Sequence, residues 1–66
     1  MYGIRLRELR IERGLSQTDL AKQFNISQRA VSHYENEIHD LSTDLIIAIC
    51  KFFEVSADYL LGLKDY

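Results

Sequence analysis

The chain has 66 residues, of which 47% are hydrophobic and 27% charged, and it contains three glycines and no proline. A chain of this length forms one domain at most and buries only about 60% of its unfolded surface, so its core must be apolar and regular. The one cysteine, Cys50, excludes an internal disulfide and a multi-cysteine zinc site. The longest apolar run, residues 45–50, is too short to span a membrane, and the absence of a basic-then-apolar leader predicts a cytoplasmic protein.

The net charge of −2 is distributed unevenly along the chain. Residues 1–36 hold six Lys/Arg against four Asp/Glu, which gives +2, whereas residues 37–66 hold two against six, which gives −4. Because salt screens charges beyond about 10 Å, local charge matters more than the sum for a polyanionic partner. The overall charge therefore weakens a nucleic-acid interpretation without excluding it.

One pattern recurs four times: an apolar residue, a serine, three variable positions and another apolar residue. Serine at a helix N-cap accepts a hydrogen bond from a first-turn amide, and the flanking apolar residues pack over it as a hydrophobic staple. These four helix starts, with the run YGIRLRELRIERG before them, predict five helices. Asp19 is placed to complete a capping box with the first serine. The four serines are Ser16, Ser27, Ser42 and Ser56.

The predicted elements follow each other closely. The first helix ends near Gly14, which suits the C′ position, and the second covers about residues 17–24. Asn25 tolerates the left-handed conformation that the tight turn to the third helix, about residues 28–36, requires. The fourth helix covers about residues 43–53 and the fifth about 57–61. Since no segment alternates with period two, we predict an all-α fold, a compact five-helix domain.

Two short helices joined by a tight turn form a helix-turn-helix, here residues 17–36. Polar residues fall on one side of the third helix, and none is an acid although acids are common elsewhere. Ala30, Val31 and Tyr34 form the opposite, apolar side. A plain solvated face is the simpler interpretation, but the short preceding helix, the tight turn and the lack of acids favour a surface that docks in a DNA major groove. The polar residues are Gln28, Arg29, Ser32, His33 and Asn36.

The segment LRELRIERGLSQTDLAKQFNISQRAVSHYENE resembles the helix-turn-helix family of lambdoid phage repressors, Cro proteins and their bacterial relatives, the XRE type. The resemblance continues through LSTDLIIAICKFFEVSADYLLG and so covers about residues 2–62. Its most specific elements are RGLSQ, YEN and DYLLG at the family's separations. It implies a single lambda-repressor-like DNA-binding domain over residues 1–66, acting as a homodimer, usually a repressor, on a partly palindromic operator.

The resemblance also implies roles for matching positions. Arg10 and Glu35 match a frequent pair that links helix 1 to the end of helix 3. Both occupy core-leaning positions, where an unpaired charge would be costly, although a surface arginine is the alternative for Arg10. The residues expected at base edges are Gln28, Arg29, Ser32 and His33. The residues expected at phosphate are Gln17, Ser27 and Asn36.

The chain departs from the family pattern after the third helix. Glu37 and Leu41 stand where many members have Gly and Pro, and the linker EIHDL is acidic where relatives often carry Lys or Arg. His39 is the one candidate cation there, so we expect weaker non-specific DNA binding. A second apolar stripe on helix 4 either packs within the domain or forms a homodimer face. That face would contain Leu45, Phe52, Leu60, Leu61, Leu63 and Tyr66.

Two other classes of function were weighed. The two histidines, one cysteine and scattered carboxylates show no metal-ligand spacing and no nucleophile–base pair, so we expect no enzyme, metal or cofactor. A protein-interaction module of the same fold, such as an antitoxin-like protein with weak or no DNA binding, is favoured by the sequence pI of about 5.5 and disfavoured by the acid-free stripe. We expect double-stranded DNA as the partner, with no small-molecule ligand and no membrane, in a bacterial or phage-encoded protein.

Overall fold

The computed structural model describes residues 1–65, which form five α-helices and no β-strand. This confirms the predicted all-α class, and only the predicted third and fifth helices extend one residue too far. In chain order the helices are α1 (Tyr2–Glu12), α2 (Gln17–Phe24), α3 (Gln28–Glu35), α4 (Thr43–Phe53) and α5 (Ala57–Leu60). None of them is long and apolar enough to cross a membrane.

Four of the helices begin at the predicted serines. In each, the hydroxyl oxygen of the N-cap serine accepts a hydrogen bond from the amide three residues later. At α2 the capping box is complete, because the amide of Ser16 donates to Asp19 Oδ2 at 2.9 Å. That hydrogen bond holds the pKa of Asp19 below its usual range. Each serine cap contributes about 1 kcal/mol to the stability of its helix.

A residue with positive φ follows each of the five helices. Asn25, the C-cap of α2, has φ 56° and ψ 44°, as its sequence position predicts. Gly14 follows α1 with φ 68°, and Glu54 ends α4 with φ 57°. A left-handed residue satisfies the last carbonyl groups of a helix while turning the chain sharply. The turn at Asn25 therefore lets α3 fold back and pack against α2.

All five helices contribute side chains to one core. Helix α3 packs on α2 and α1, α5 packs on α1 and α4, and the Phe24 ring of α2 meets the Phe52 ring of α4. Burying a leucine, isoleucine or valine side chain stabilises the fold by about 1.5–3 kcal/mol, so this core supplies most of the favourable free energy. The buried core residues are Leu6, Leu9, Leu20, Ala21, Val31, Ile49, Phe53 and Leu60.

The core includes one residue that the sequence assigned to a dimer face. Leu60 has 0% of its surface exposed, so its placement on a surface was wrong. The N-cap at Ser56 starts a single helical turn that directs Leu60 inward, and a four-residue helix shows too little periodicity to reveal this. Leu45 and Phe52 are partly buried against the same core. The other three residues of that face differ in position: Leu61 and Leu63 are exposed, and Tyr66 lies outside the described residues.

The N-terminus of α1 is fastened to the segment between α3 and α4. The amide of Gly3 donates to Glu37 Oε2 at 3.3 Å, and the Met1 amino group contacts the same carboxylate. These hydrogen bonds supply the cap that α1 lacks from its own side chains, and the Met1 amino group holds the pKa of Glu37 below its usual range. Glu37 has φ 56°, an unfavourable conformation for a non-glycine residue, which the hydrogen bonds offset. Its carboxylate is therefore engaged with α1.

Candidate nucleic-acid interface

Helix α3 presents two chemically different sides. Its inner side carries Val31, which is 1% exposed, and Glu35, which is 8% exposed. Residues at i, i+1, i+4 and i+5 share a side of a helix, and on the outer side of α3 these positions hold the four predicted base-reading residues. We call this set the α3 stripe. Its members are Gln28 and Arg29, which are exposed, and Ser32 and His33, which are half-buried.

A buried ion pair holds the inner side of α3 against α1. Arg10 Nε donates to Glu35 Oε2 at 2.6 Å, and Nη2 donates to Glu35 Oε1 at 3.2 Å. The two side chains are only 12% and 3% exposed. Arg10 Nη1 also donates to the carbonyl oxygen of Leu15 at 2.8 Å, so the guanidinium group fixes the α1–α2 turn as well. The predicted pair is thus present, and every guanidinium nitrogen of Arg10 has a partner.

Two glutamines extend this ion pair to the outer surface. Gln17 Nε2 donates to Glu35 Oε1 at 3.1 Å, and Gln28 Nε2 donates to Gln17 Oε1 at 2.6 Å. Because an ionised carboxylate only accepts hydrogen bonds, Glu35 fixes the orientation of the Gln17 amide, which in turn fixes that of Gln28. The first residues of α2 and α3 are therefore joined by a directed hydrogen-bond chain. The sequence carries no local signal of it, since its members are 11 and 18 residues apart.

The other predicted phosphate contacts lie at the two ends of α3. Ser27 Oγ accepts the Ala30 amide at 3.0 Å, which leaves its hydroxyl hydrogen for another acceptor. Asn36 Nδ2 donates back to the carbonyl oxygen of Ser32 at 2.9 Å and also contacts Ser32 Oγ at 3.4 Å. Arg29 has no ion-pair partner among residues 1–65. Ser27 and Arg29 can therefore donate hydrogen bonds to an external anion, and Asn36 can do so in exchange for its weaker contact with Ser32 Oγ.

Two histidines meet beside the end of α3. The ring centroids of His33 and His39 are 4.9 Å apart, and the ring planes are inclined at 56°. The chain turns back after α3, where the amide of Ile38 donates to the carbonyl oxygen of His33 at 2.8 Å. The sequence placed the two histidines in separate elements and did not predict their contact.

Several basic side chains of the N-terminal half are occupied within the protein. Arg5 lies 4.4 Å from the Tyr59 ring centroid and 3.6 Å from Asp65. Arg13 lies 5.5 Å from the centroid of the Phe52 ring. With Arg10 bound to Glu35, the positive charge available to a polyanion is smaller than the sequence count indicates. The other basic residues of this half are Arg7, Lys22 and Arg29, all exposed.

Neither a metal site nor a chain of catalytic groups accompanies this surface in the part of the chain that the structure describes. No group of three or more His, Cys, Asp or Glu among residues 1–65 could hold a metal ion. Cys50 is partly buried, and burial raises the pKa of its thiol, which disfavours the reactive thiolate. The chemistry that the α3 stripe offers is hydrogen bonding.

Comparison with known proteins identifies the family. A family model described as helix-turn-helix matches residues 6–60. The chain belongs to the helix-turn-helix family. This confirms the resemblance that the sequence motifs indicated.

Among relatives of this helix-turn-helix chain, the HTH-type transcriptional regulator ImmR of Bacillus subtilis (strain 168) is 40% identical over 63 residues. The alignment covers 96% of this chain and 49% of ImmR. Antitoxin PezA of Streptococcus pneumoniae serotype 4 is 37% identical over 62 residues, which cover 94% of this chain and 39% of PezA. The chain thus spans half or less of the length of these two relatives. Neither name is that of an enzyme, in agreement with the expectation for this chain.

A solved structure supports the same fold for the helix-turn-helix chain. The P22 c2 repressor, crystallised in complex with synthetic operator 9T, matches with a TM-score of 0.83 and 28% sequence identity. The match covers 91% of each chain. The predicted lambda-repressor-like architecture is therefore confirmed over nearly all of the chain.

Proposed function

We propose that the chain is a sequence-specific, double-stranded DNA-binding transcriptional regulator whose helix α3 lies in the major groove of an operator. The observation that carries this proposal is the α3 stripe, which is free of acids, accessible from outside and held from behind by Val31 and the buried Glu35. A major groove about 12 Å wide admits an α-helix, and every side chain of the stripe donates hydrogen bonds. The regulator names of relatives and the operator complex of the P22 c2 repressor support the same function.

The hydrogen-bond chain determines what Gln28 can offer a base. One N–H of the Gln28 amide donates to Gln17, which leaves the Gln28 carbonyl oxygen and a second N–H available to a partner. Adenine presents the complementary donor and acceptor in the major groove, whereas guanine presents two acceptors, which suit Arg29. Ser32 and His33 follow along the same side and complete the proposed base contacts.

Phosphate contacts would flank this reading surface. Gln17 begins α2, where unpaired backbone amides and the helix dipole favour an anion, and the Gln17 side chain stands beside them. At the two ends of α3, Ser27 keeps its hydroxyl hydrogen, and Asn36 carries an amide whose 3.4 Å contact with Ser32 Oγ can be exchanged for a phosphate. Contacts of this kind set the position of a protein on the duplex without reading its sequence.

A homodimer on a partly palindromic operator would place two copies of α3 in successive major grooves, about 34 Å apart. Leu61 and Leu63 are 38% and 73% exposed and remain as apolar candidates for the contact between copies. A dimer bound across a promoter would exclude polymerase from it, so repression in a bacterial or phage-infected cytoplasm is the mechanism that we propose.

Selection of bound sequences from random DNA tests the proposal, because it yields the operator, its symmetry and the half-site spacing together. Arg29→Ala is expected to weaken binding to the selected site by about 1–3 kcal/mol and to relax preference at one or two base pairs. Equal losses on selected and random DNA would assign Arg29 to phosphate alone. Recovery of no enriched sequence, even at low salt, would contradict the proposed function.

Gln17→Ala distinguishes anchoring from reading. Gln17 is proposed to contact a DNA phosphate, and its side chain also accepts a hydrogen bond from the Gln28 amide. Removing the Gln17 side chain is therefore expected to weaken binding to all sequences and to reduce discrimination at the base pair opposite Gln28. Thr18→Ala, at the next exposed position of α2, is the matched control. Unchanged affinity for random DNA in Gln17→Ala would refute the anchoring role.

One further function has specific support. PezA is named an antitoxin, and a surface cavity of about 500 Å³ lies between α1 and α5. Apolar side chains line it together with three acids, Glu12, Glu54 and Asp58, and one base, Lys64, which lies 3.7 Å from Asp58. A protein-interaction module would use such a surface for a basic partner. It would retain no DNA in the selection and would bind a partner whose affinity is insensitive to Arg29→Ala.

A further inference from the structure

The contact between His33 and His39 is set by the backbone on both sides. His33 belongs to the α3 stripe, and the turn that follows is closed by the hydrogen bond from the Ile38 amide to the His33 carbonyl oxygen. The backbone of His39 is held from α1, because the Tyr2 hydroxyl donates to the His39 carbonyl oxygen at 2.6 Å. The fold therefore holds the backbone of both residues, and their ring centroids lie 4.9 Å apart.

Groups of both signs surround this histidine pair. On α3, Arg29 stands one turn before His33. Glu37 lies beyond the end of α3, where its carboxylate is engaged by the Gly3 amide and the Met1 amino group. From the linker comes Asp40, whose Oδ1 lies 3.4 Å from the Tyr2 hydroxyl of α1. Neither imidazole forms an ion pair with a carboxylate among residues 1–65.

Protonation of both rings would place two positive charges about 5 Å apart, close enough for one anion to attract both. A phosphate oxygen within reach of both rings would accept a charge-assisted hydrogen bond from each imidazolium. Histidine is the side chain whose charge ordinarily changes between pH 5 and 8. The pair thus has the chemistry to couple anion binding to proton uptake.

We propose that His33 and His39 together bind one DNA phosphate in their protonated form, which assigns His33 to the DNA backbone instead of a base edge, makes His39 an additional DNA-contacting residue and couples DNA binding to proton uptake. The proposal rests on the DNA-binding function proposed above. Protonated His39 would add a positive charge to a surface on which Arg5, Arg10 and Arg13 already contact other groups of the protein. His39 is the one residue of the acidic linker that can supply this charge.

The test measures affinity for the selected operator and for a random duplex between pH 5.5 and 7.5, at constant ionic strength and with a chelator so that the imidazoles meet protons only. Each proton taken up weakens binding by up to about tenfold per pH unit as pH rises. Wild type is expected to lose about tenfold or more on both duplexes across this range. The double variant His33→Gln/His39→Gln is expected to lose most of this pH dependence. Any pH dependence that remains in it measures the contribution of other groups, including the Met1 amino group.

His39→Lys provides a rescue, because lysine keeps its charge throughout the range. Its affinity at pH 7.5 is expected to approach that of wild type at pH 5.5, with a smaller pH slope. Urea titrations at each pH check that every variant is folded. NMR titration of the imidazole carbon protons in wild type gives a second measurement that needs no variant, and the midpoints are expected to rise when DNA is bound.

Three results overturn the inference: an affinity that does not change with pH, an equal pH slope in the double variant, or unchanged imidazole midpoints on DNA binding. Each of them leaves specific DNA binding intact. Failure to bind any duplex at pH 5.5 or 7.5 would instead refute the proposed function, so the two failures are distinguishable.

Discussion

Removing Glu35 should destabilise the protein more than any single change on the α3 stripe. Glu35→Ala leaves Arg10, only 12% exposed, with the Leu15 carbonyl as its remaining partner. A buried charge that loses its partner costs about 3–5 kcal/mol, and the amide of Gln17 loses an acceptor worth about 1 kcal/mol more. A domain of 66 residues has a total stability of about 3–10 kcal/mol. Glu35→Ala is therefore expected to be partly or wholly unfolded at 25 °C.

Urea denaturation followed by circular dichroism measures this loss. The matched control is Arg10→Met/Glu35→Leu, which replaces the ion pair by apolar side chains of similar size and is expected to regain most of the stability. Gln17 stays without its acceptor in that variant, so its DNA affinity should remain below that of wild type. A loss under about 1 kcal/mol in Glu35→Ala would mean that the pair behaves as a surface salt bridge, which would refute the reasoning.

Two further predictions concern the N-terminus of α1. Gly3→Ala places a Cβ 2.3 Å from the Glu35 carbonyl oxygen, so α1 must shift, and the free energy of unfolding measured in urea is expected to fall by about 1–3 kcal/mol. The control is Gly14→Ala, whose Cβ meets open space at φ 68° and which should lose only about 1 kcal/mol. Equal losses in the two variants would contradict the close contact at Gly3. The pKa of Glu37 lies below its ordinary 4.5, so its stabilisation is present above that pH and is lost as pH falls. The difference in urea midpoint between wild type and Glu37→Gln should therefore vanish in acid, and a difference that persists would exclude the assigned contact.

The helix starts could be predicted because their determinants are local. Each serine, its flanking apolar residues and the amide three positions later lie within one turn, so sequence spacing alone specifies the contact. The left-handed conformation of Asn25 was also predictable, since few residue types other than glycine adopt φ 56° readily. Glu37 and Glu54 adopt the same conformation without such a preference, and for Glu37 the reason lies in tertiary hydrogen bonds to α1.

Contacts between elements were harder to predict. The Arg10–Glu35 pair was expected from the family resemblance together with its core-leaning positions. The hydrogen-bond chain through Gln17 and Gln28 and the contact between the two histidines depend on how α2, α3 and the linker pack together. The periodicity of the sequence carries no information about that packing. Leu60 was misplaced because a helix of four residues has no complete pattern of faces. The α3 stripe was predictable because eight helical residues suffice to separate an apolar side from a polar one.

The directed hydrogen-bond chain from Glu35 through Gln17 to Gln28 means that the positions of the proposed reading surface differ in how freely they can be substituted. Arg29 is exposed without an ion-pair partner among residues 1–65, so its replacement changes what α3 presents to DNA and leaves the support of α3 intact. Replacing Gln17 would release the Gln28 amide as well, because Gln17 Oε1 accepts the hydrogen bond from Gln28, so the proposed anchoring and recognition would change in one step. Laboratory redesign of operator preference should therefore begin at Arg29, and natural divergence is expected to be slowest at Gln17.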